Sequence, residues 1–292
     1  MRSSSVVCLL IVNNMGSLPE TVIKSILENS SDDVAIGFVN EADILRLPED
    51  PRIQYLKLEE SELQINKDSN YQDFNADFFY SIVQLKWTLL ERLMDTKYRY
   101  VVYNDSDVLW VNNPLPSLLR GFESNPQAFL YVQSFTESVD NPRLCMGFAA
   151  FKNSPRSLEF IRECKNLHKR LFLSNKKVGD DDVVTEMFIK GSYGTEIIEL
   201  PQSTFPVGRN LNLYGNKEYF PGLAGPKPFI FHANFVIGLT NKILLMNKFL
   251  EITNSELFNK SLRFKIYIFA KSIRLAVGRF RRKIPLVRNW NQ

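Results

Sequence analysis

Tyr98-Arg99-Tyr100-Val101-Val102-Tyr103-Asn104-Asp105-Ser106-Asp107-Val108-Leu109-Trp110-Val111 is the stretch on which the fold turns. Its first six residues are strongly β-prone. The run stops at an acidic triplet, after which the apolar pattern resumes. Carboxylates between buried strands are costly when unpaired, and a divalent cation would offset that cost. In extended chain Asp105 and Asp107 project to the same side, so both can address one hard, oxygen-preferring ion, Mg²⁺ or Mn²⁺. The competing reading is a plain turn, where Asn, Asp and Ser are common. This stretch alone leaves both open.

Outward from it, strands and helices alternate. Strands are predicted over Ser5–Val12, Val34–Val39, Ile53–Leu58, Tyr98–Tyr103, Phe129–Gln133, Met146–Phe151 and the end at Phe229–His232. Helices are predicted over Leu18–Glu28 (N-cap Ser17), Phe78–Met94, Ser157–Leu173 (Ser154 as cap, Pro155 in the first turn), Asp181–Ile189 and Asn241–Ile252. Residues 60–76 are polar and aperiodic and read as a loop. This alternation predicts an α/β fold with a mostly parallel sheet flanked by helices. Ligands bind such sheets beyond the carboxyl ends of the strands, and three polar clusters fall there: Asn13-Asn14, Asp105-Ser106-Asp107 and His232-Ala233-Asn234.

Phe229-Ile230-Phe231-His232 carries one of only two histidines. Imidazole suits Mn²⁺ better than Mg²⁺. Gly238 permits close backbone approach, and Lys242, at a helix start, offers a point charge to phosphate. The alternative is a hydrogen-bonded core histidine with Lys242 on the surface. His168, in Asn166-Leu167-His168-Lys169-Arg170, reads as part of a solvated helix face without a role.

The 292 residues, 45% hydrophobic with 22 Phe, suffice for one large domain. Cys8, Cys145 and Cys164 are odd in number and widely spaced, which argues against a disulfide framework and for a reducing compartment. The apolar run Val6–Val12 is too short for a signal peptide, and no stretch reaches the roughly 18 apolar residues of a membrane span. The expected location is cytoplasmic, with peripheral contact on the inner leaflet of a membrane.

Residues 257–292 contain ten Lys or Arg and no acid, which leaves 26 basic against 32 acidic residues in the first 256. The chain is therefore read as a domain over 1–256 and a basic amphipathic helical tail over 257–292. Its apolar residues alternate with a basic set that includes Arg279, Arg281 and Arg282. That suits an anionic membrane surface, worth about 1 kcal/mol per basic residue, or a helix packed on the domain. It is too apolar for a plain nucleic-acid arm, and no nucleic acid is expected.

The motifs, taken together, resemble the nucleotide-diphospho-sugar transferase family that includes plant cell-wall xylosyltransferases, and more distantly the glycogenin-like enzymes. The resemblance runs over roughly residues 80–250. It rests on Leu85-Lys86, Tyr103 to Trp110, Asn113-Pro114-Leu115, Cys145 to Phe151 with Ser154-Pro155, Leu200-Pro201, Phe205-Pro206, and His232-Ala233-Asn234 with Gly238 and Lys242. It implies a GT-A (Rossmann-like) fold and a nucleotide-sugar donor. It implies Mn²⁺ (or Mg²⁺) on Asp105, Asp107 and His232, with Asn13, Lys86, Asp105, Ser106, Gly238 and Lys242 lining the donor. Asp180 and Gly147 are the residues expected towards a glycan or lipid-linked acceptor. The chain departs from the family at Gly179-Asp180-Asp181-Asp182, where the family shows Asp-Gln. Asp181 or Asp182 stands for the Gln beside the reacting carbon, and Thr185 or Glu186 for a later Asn; helix capping is the alternative for these acids.

The expected activity is sugar transfer to a hydroxyl, retaining if the likeness holds. A nucleotidyl- or phosphotransferase using the same carboxylates would instead consume a nucleoside triphosphate. A non-catalytic membrane-docking protein would bind no sugar nucleotide.

Overall fold

The computed structural model describes residues 4–12, 15–59, 77–135, 142–174, 178–190, 193–208, 228–234 and 238–253. Asn13, the loop at 60–76 and the tail with Arg279, Arg281 and Arg282 lie outside the described residues.

In chain order the elements are β1 (Ser5–Ile11), α1 (Leu18–Asn29), β2 (Asp33–Phe38), β3 (Ile53–Lys57), α2 (Asp77–Met94), β4 (Tyr100–Asn104), β5 (Val108–Trp110), α3 (Leu115–Ser124), β6 (Leu130–Ser134), β7 (Leu144–Lys152), α4 (Pro155–Leu173), α5 (Asp180–Ile189), β8 (Ile197–Glu199), β9 (Ile230–His232) and α6 (Leu239–Thr253). Seven strands form one sheet in the order β3-β2-β1-β4-β7-β6-β8, and β5 pairs with β9 in a small second sheet.

β1 shows why the sheet is covered on both sides. All seven residues are buried. Val7, Leu9 and Ile11 pack into a core shared with α1, α3 and the β5/β9 pair. Val6, Cys8 and Leu10 face the opposite core, built with α2, α4 and α5. Period-two alternation with both parities apolar is the pattern of a sheet sandwiched between helix layers. α1 turns Leu18, Val22, Ile23 and Ile26 inward and carries the Lys24–Glu20 pair, separated by 2.7 Å, on its outer face.

β3, β2, β1 and β4 are parallel, as predicted. β7 is not: it runs antiparallel to both β4 and β6. Only residues 135–143 separate β6 from β7, and a parallel return needs a crossover of a dozen residues or more. Connection length therefore decides its direction.

Ser154 caps α4 as expected, its Oγ accepting from the Ser157 N–H at 3.2 Å. Ser17 holds the N-cap position of α1 without a side-chain capping bond. The prediction for His168 is corrected. Far from a solvated face, its ring is fully buried. Trp87 Nε1 donates to His168 Nδ1 at 3.0 Å, and His168 Nε2 lies 2.9 Å from the Val178 carbonyl. The neighbours Lys169 and Arg170 mask the relevant stripe, in which Ile161 and Cys164 precede His168 at helical spacing and are buried with it. The three cysteines are free thiols.

Candidate active site

The acidic triplet sits in the connection between β4 and β5. Asn104, fully buried, shapes it: its Nδ2 donates to the carbonyls of Asp105 (2.9 Å) and Val108 (3.0 Å), and its Oδ1 accepts from Trp110 Nε1 at 2.8 Å. The Asp105 N–H bonds the Gly147 carbonyl at 2.7 Å, tying the triplet to β7. Ser106 turns inward, its hydroxyl donating to the Leu10 carbonyl at 3.0 Å. Its hydroxyl thus anchors the loop to β1.

β9 brings the histidine. In the antiparallel β5/β9 ladder Val108 stands opposite His232, and the Ala233 N–H bonds the Asp107 carbonyl at 2.9 Å. This register sets His232 Nε2 3.2 Å from Asp107 Oδ1. Ligand atoms of Asp105, Asp107 and His232 all lie within 4.8 Å of one another. Gly147 makes the arrangement possible: a Cβ there would sit 2.0 Å from the ring Cε1 of His232, closer than any atom tolerates.

Two ammonium groups flank the cluster. Lys242, on the first turn of α6, puts Nζ 2.5 Å from Asp107 Oδ2. The Lys242 N–H donates to the Gly238 carbonyl at 3.2 Å, and Gly238 adopts φ +87°, a conformation that glycine reaches without strain. Lys86, buried on α2, pairs with Asp180, lies 3.2 Å from Asp105 Oδ1 and 4.4 Å above the Tyr103 ring. The Tyr103 hydroxyl donates to Asp105 Oδ1 at 3.0 Å.

Burial works against charge on Lys86, but Asp105 and Asp180 hold its pKa well above the ordinary lysine value. Desolvation pushes the Asp105 carboxyl up, and Asp107 and Asp180 add to that push. Asp107 is desolvated too, yet Lys242 and His232 keep it far below the usual carboxylate range. Burial and its neighbour Asp180 raise Asp181. Asp105, Asp107, Asp180 and Asp181 thus face two ammonium groups. The donor set of two carboxylate oxygens and one imidazole within this cluster fits a divalent cation.

The three consecutive aspartates part company at the start of α5. Asp180 is taken by Lys86. Asp181 Oδ1 accepts from the Met146 N–H at 2.6 Å, and one helical turn on, Thr185 Oγ1 accepts from the Leu144 N–H at 3.0 Å. These two side chains serve the part of β7 that extends past its pairing with β4. Asp182 is exposed and accepts from the Gly179 N–H at 3.3 Å, a helix-capping contact. Glu186 pairs with Lys190 on the outer face.

The family model for nucleotide-diphospho-sugar transferases matches residues 47–246. The chain belongs to the nucleotide-diphospho-sugar transferase family. Among solved structures this transferase is similar to the galactosyltransferase LgtC in complex with donor and acceptor sugar analogues (11% identity, 83% of this chain and 95% of that chain, TM-score 0.55). It is also similar to the glycosyltransferase GlyE of Streptococcus pneumoniae TIGR4 (14% identity, 88% and 65%, TM-score 0.52). A third is the bifunctional glycosyltransferase WbbM (13% identity, 92% and 52%, TM-score 0.53). The chain spans about two thirds of the GlyE chain and about half of the WbbM chain. These likenesses establish a GT-A fold, and with the family they make the protein a glycosyltransferase. No curated protein matches. No helix among the described residues is long and apolar enough to cross a membrane.

Several residues that shape the transferase's site escaped the sequence reading. Asn104 and Trp110 fix the triplet's turn, and Tyr103 holds Asp105. Gln133, fully buried at the end of β6, puts Oε1 3.0 Å from His232 Nδ1. For Gln133 the only sequence signal is an uncharged polar residue closing a buried strand.

Proposed function

We propose that this nucleotide-diphospho-sugar transferase moves a sugar from a nucleotide-diphosphate donor to a hydroxyl of a glycan or lipid-linked acceptor, using Mn²⁺ held by Asp105, Asp107 and His232. The single observation that carries the reading is the convergence of these three side chains within 4.8 Å, from strands that the β5/β9 register brings together. A divalent cation bound there supplies Lewis-acid stabilisation of the departing diphosphate.

The chain's own residues do the rest. Lys242 neutralises charge on the diphosphate, aided by the α6 N-terminus and by close backbone approach at Gly238. Lys86 and Asp180 form a buried floor that fixes Asp105. Asp181, held against the Met146 N–H, is assigned to the sugar beside its reacting carbon; Asp182 is assigned to capping α5. The sugar–phosphate bond breaks as the acceptor oxygen bonds the same face of the anomeric carbon, and the acceptor proton passes to the leaving phosphate oxygen. That course retains configuration and needs no dedicated base. The basic residues of 257–292, Arg279, Arg281 and Arg282 among them, are assigned to an anionic membrane surface, to be tested by sedimentation with phosphatidylserine vesicles.

A thermal-shift panel of nucleotide sugars with and without Mn²⁺ tests the assignment, because a ligand of the native state raises the melting temperature. The expected result is a Mn²⁺-dependent shift with one class of nucleotide sugar, lost in Asp107→Ala. Product anomers read by NMR decide retention. Stabilisation by nucleoside triphosphates alone, with phosphate transferred from them, would replace this reading with a phosphotransferase.

A further inference from the structure

Imidazole can bind a metal through either ring nitrogen, and which one it offers depends on what the other is bonded to. His232 has two candidate faces. Nε2 points at Asp107 Oδ1, 3.2 Å away. Nδ1 points into the protein, 3.0 Å from Gln133 Oε1 and 3.7 Å from Cys145 Sγ.

The carboxamide of Gln133 cannot be turned round. Its Nε2 donates to the carbonyls of Phe205 (3.1 Å) and Pro206 (3.3 Å). Carbonyl oxygens only accept, so the NH₂ must face them and Oε1 must face the ring. An oxygen acceptor at Nδ1 requires a proton on Nδ1. Gln133 and His232 are both buried, so water cannot substitute at that bond. The same segment continues into Val207, which bridges to His232.

We propose that Gln133 is a positioning residue that selects the Nδ1–H form of His232 and so presents Nε2 to the metal. It also ties that ligand to the 205–208 segment. This rests on the assignment of Asp105, Asp107 and His232 as the metal site. Gln supplies an acceptor for the ring and two donors for the carbonyls; Met, of similar shape, supplies neither; Glu supplies only the acceptor.

The two variants therefore separate positioning from bracing. Mn²⁺ affinity is measured on the full chain by the loss of the free-ion EPR signal, alongside melting temperature. Gln133→Met should weaken Mn²⁺ binding roughly 10- to 100-fold, the usual cost of losing an outer partner of a ligating histidine. Gln133→Glu should keep Mn²⁺ affinity near that of the parent protein while melting lower, since its carboxylate opposes two carbonyls. Equal loss of Mn²⁺ binding in both variants would mean a loop brace alone and overturn the proposal. So would unchanged binding in Gln133→Met. Absence of Mn²⁺ binding in the parent protein would instead overturn the metal site itself, and the proposal with it.

Discussion

Asp107 is shared: its Oδ2 lies 2.5 Å from Lys242 Nζ and its Oδ1 3.2 Å from His232 Nε2. Lys242 therefore stands as a resident counter-ion where a metal would draw on the same carboxylate. Removing its charge should act in opposite directions on two ligands. In Lys242→Met, Mn²⁺ alone is expected to bind more tightly, because no ammonium competes for Asp107. A nucleoside diphosphate offered with Mn²⁺ should bind about tenfold or more weakly, the cost of losing one charged hydrogen bond. Titration calorimetry of both ligands checks the signs.

Gly147 and the His232 ring occupy neighbouring space with no room for a methyl group between them. The backbone there is tied down, the Gly147 carbonyl accepting from the Asp105 N–H and the Met146 N–H donating to Asp181, so the ring must yield. Gly147→Ala is expected to cost about 1–3 kcal/mol, as overpacking does, and to lower Mn²⁺ affinity by displacing Nε2. Urea unfolding and Mn²⁺ titration on one preparation test both. Unchanged Mn²⁺ binding would show that the ring is not where the register sets it.

Lys86 balances two carboxylates at once, Asp105 and Asp180. Lys86→Met leaves them facing each other in a buried setting, expected to cost about 3–5 kcal/mol. Adding Asp180→Asn removes one charge and should recover part of that stability without recovering transfer. Denaturant midpoints for the two variants give the comparison.

The fold was legible where periodicity is long. β1, α1, α2 and α4 carry apolar patterns over whole elements, and α/β alternation follows from them. It was not legible where a few residues decide. β8 has three residues, too few for a pattern, and β7's direction depends on connection length. α3 was within reach, with Leu115, Leu118 and Phe122 at helical spacing, but no helix is among those predicted for that stretch. In the site, Asp105, Asp107, His232 and Lys242 announce their chemistry by residue type. Gly147 does not: its place against the His232 ring is a relation set by two strands far apart in sequence. Asp181 and Asp182 stood as alternatives on paper, and only the first turn of α5 separates their partners.

His168 gives the protein an acid-sensitive point away from the metal ligands. Burial pulls its pKa below the ordinary histidine value, and its Nδ1 is needed as an acceptor for Trp87. The unfolded chain takes up this proton at about pH 6.5, before the folded one does. Its contribution is therefore complete above that pH and declines as pH falls from there towards the lower folded value. Between about pH 7.5 and about pH 5.5, the parent protein should lose more stability than His168→Gln, whose amide can still accept from Trp87. Denaturant unfolding at the two pH values measures the difference.

The most direct measurement is anomalous diffraction from crystals grown with Mn²⁺ and a nucleoside diphosphate. One manganese peak should lie about 2.0–2.3 Å from a carboxylate oxygen of Asp105, one of Asp107, and Nε2 of His232, with Lys242 moved from Asp107 onto the diphosphate. Manganese bound without His232, or a diphosphate bound far from the β4–β5 connection, would contradict the account.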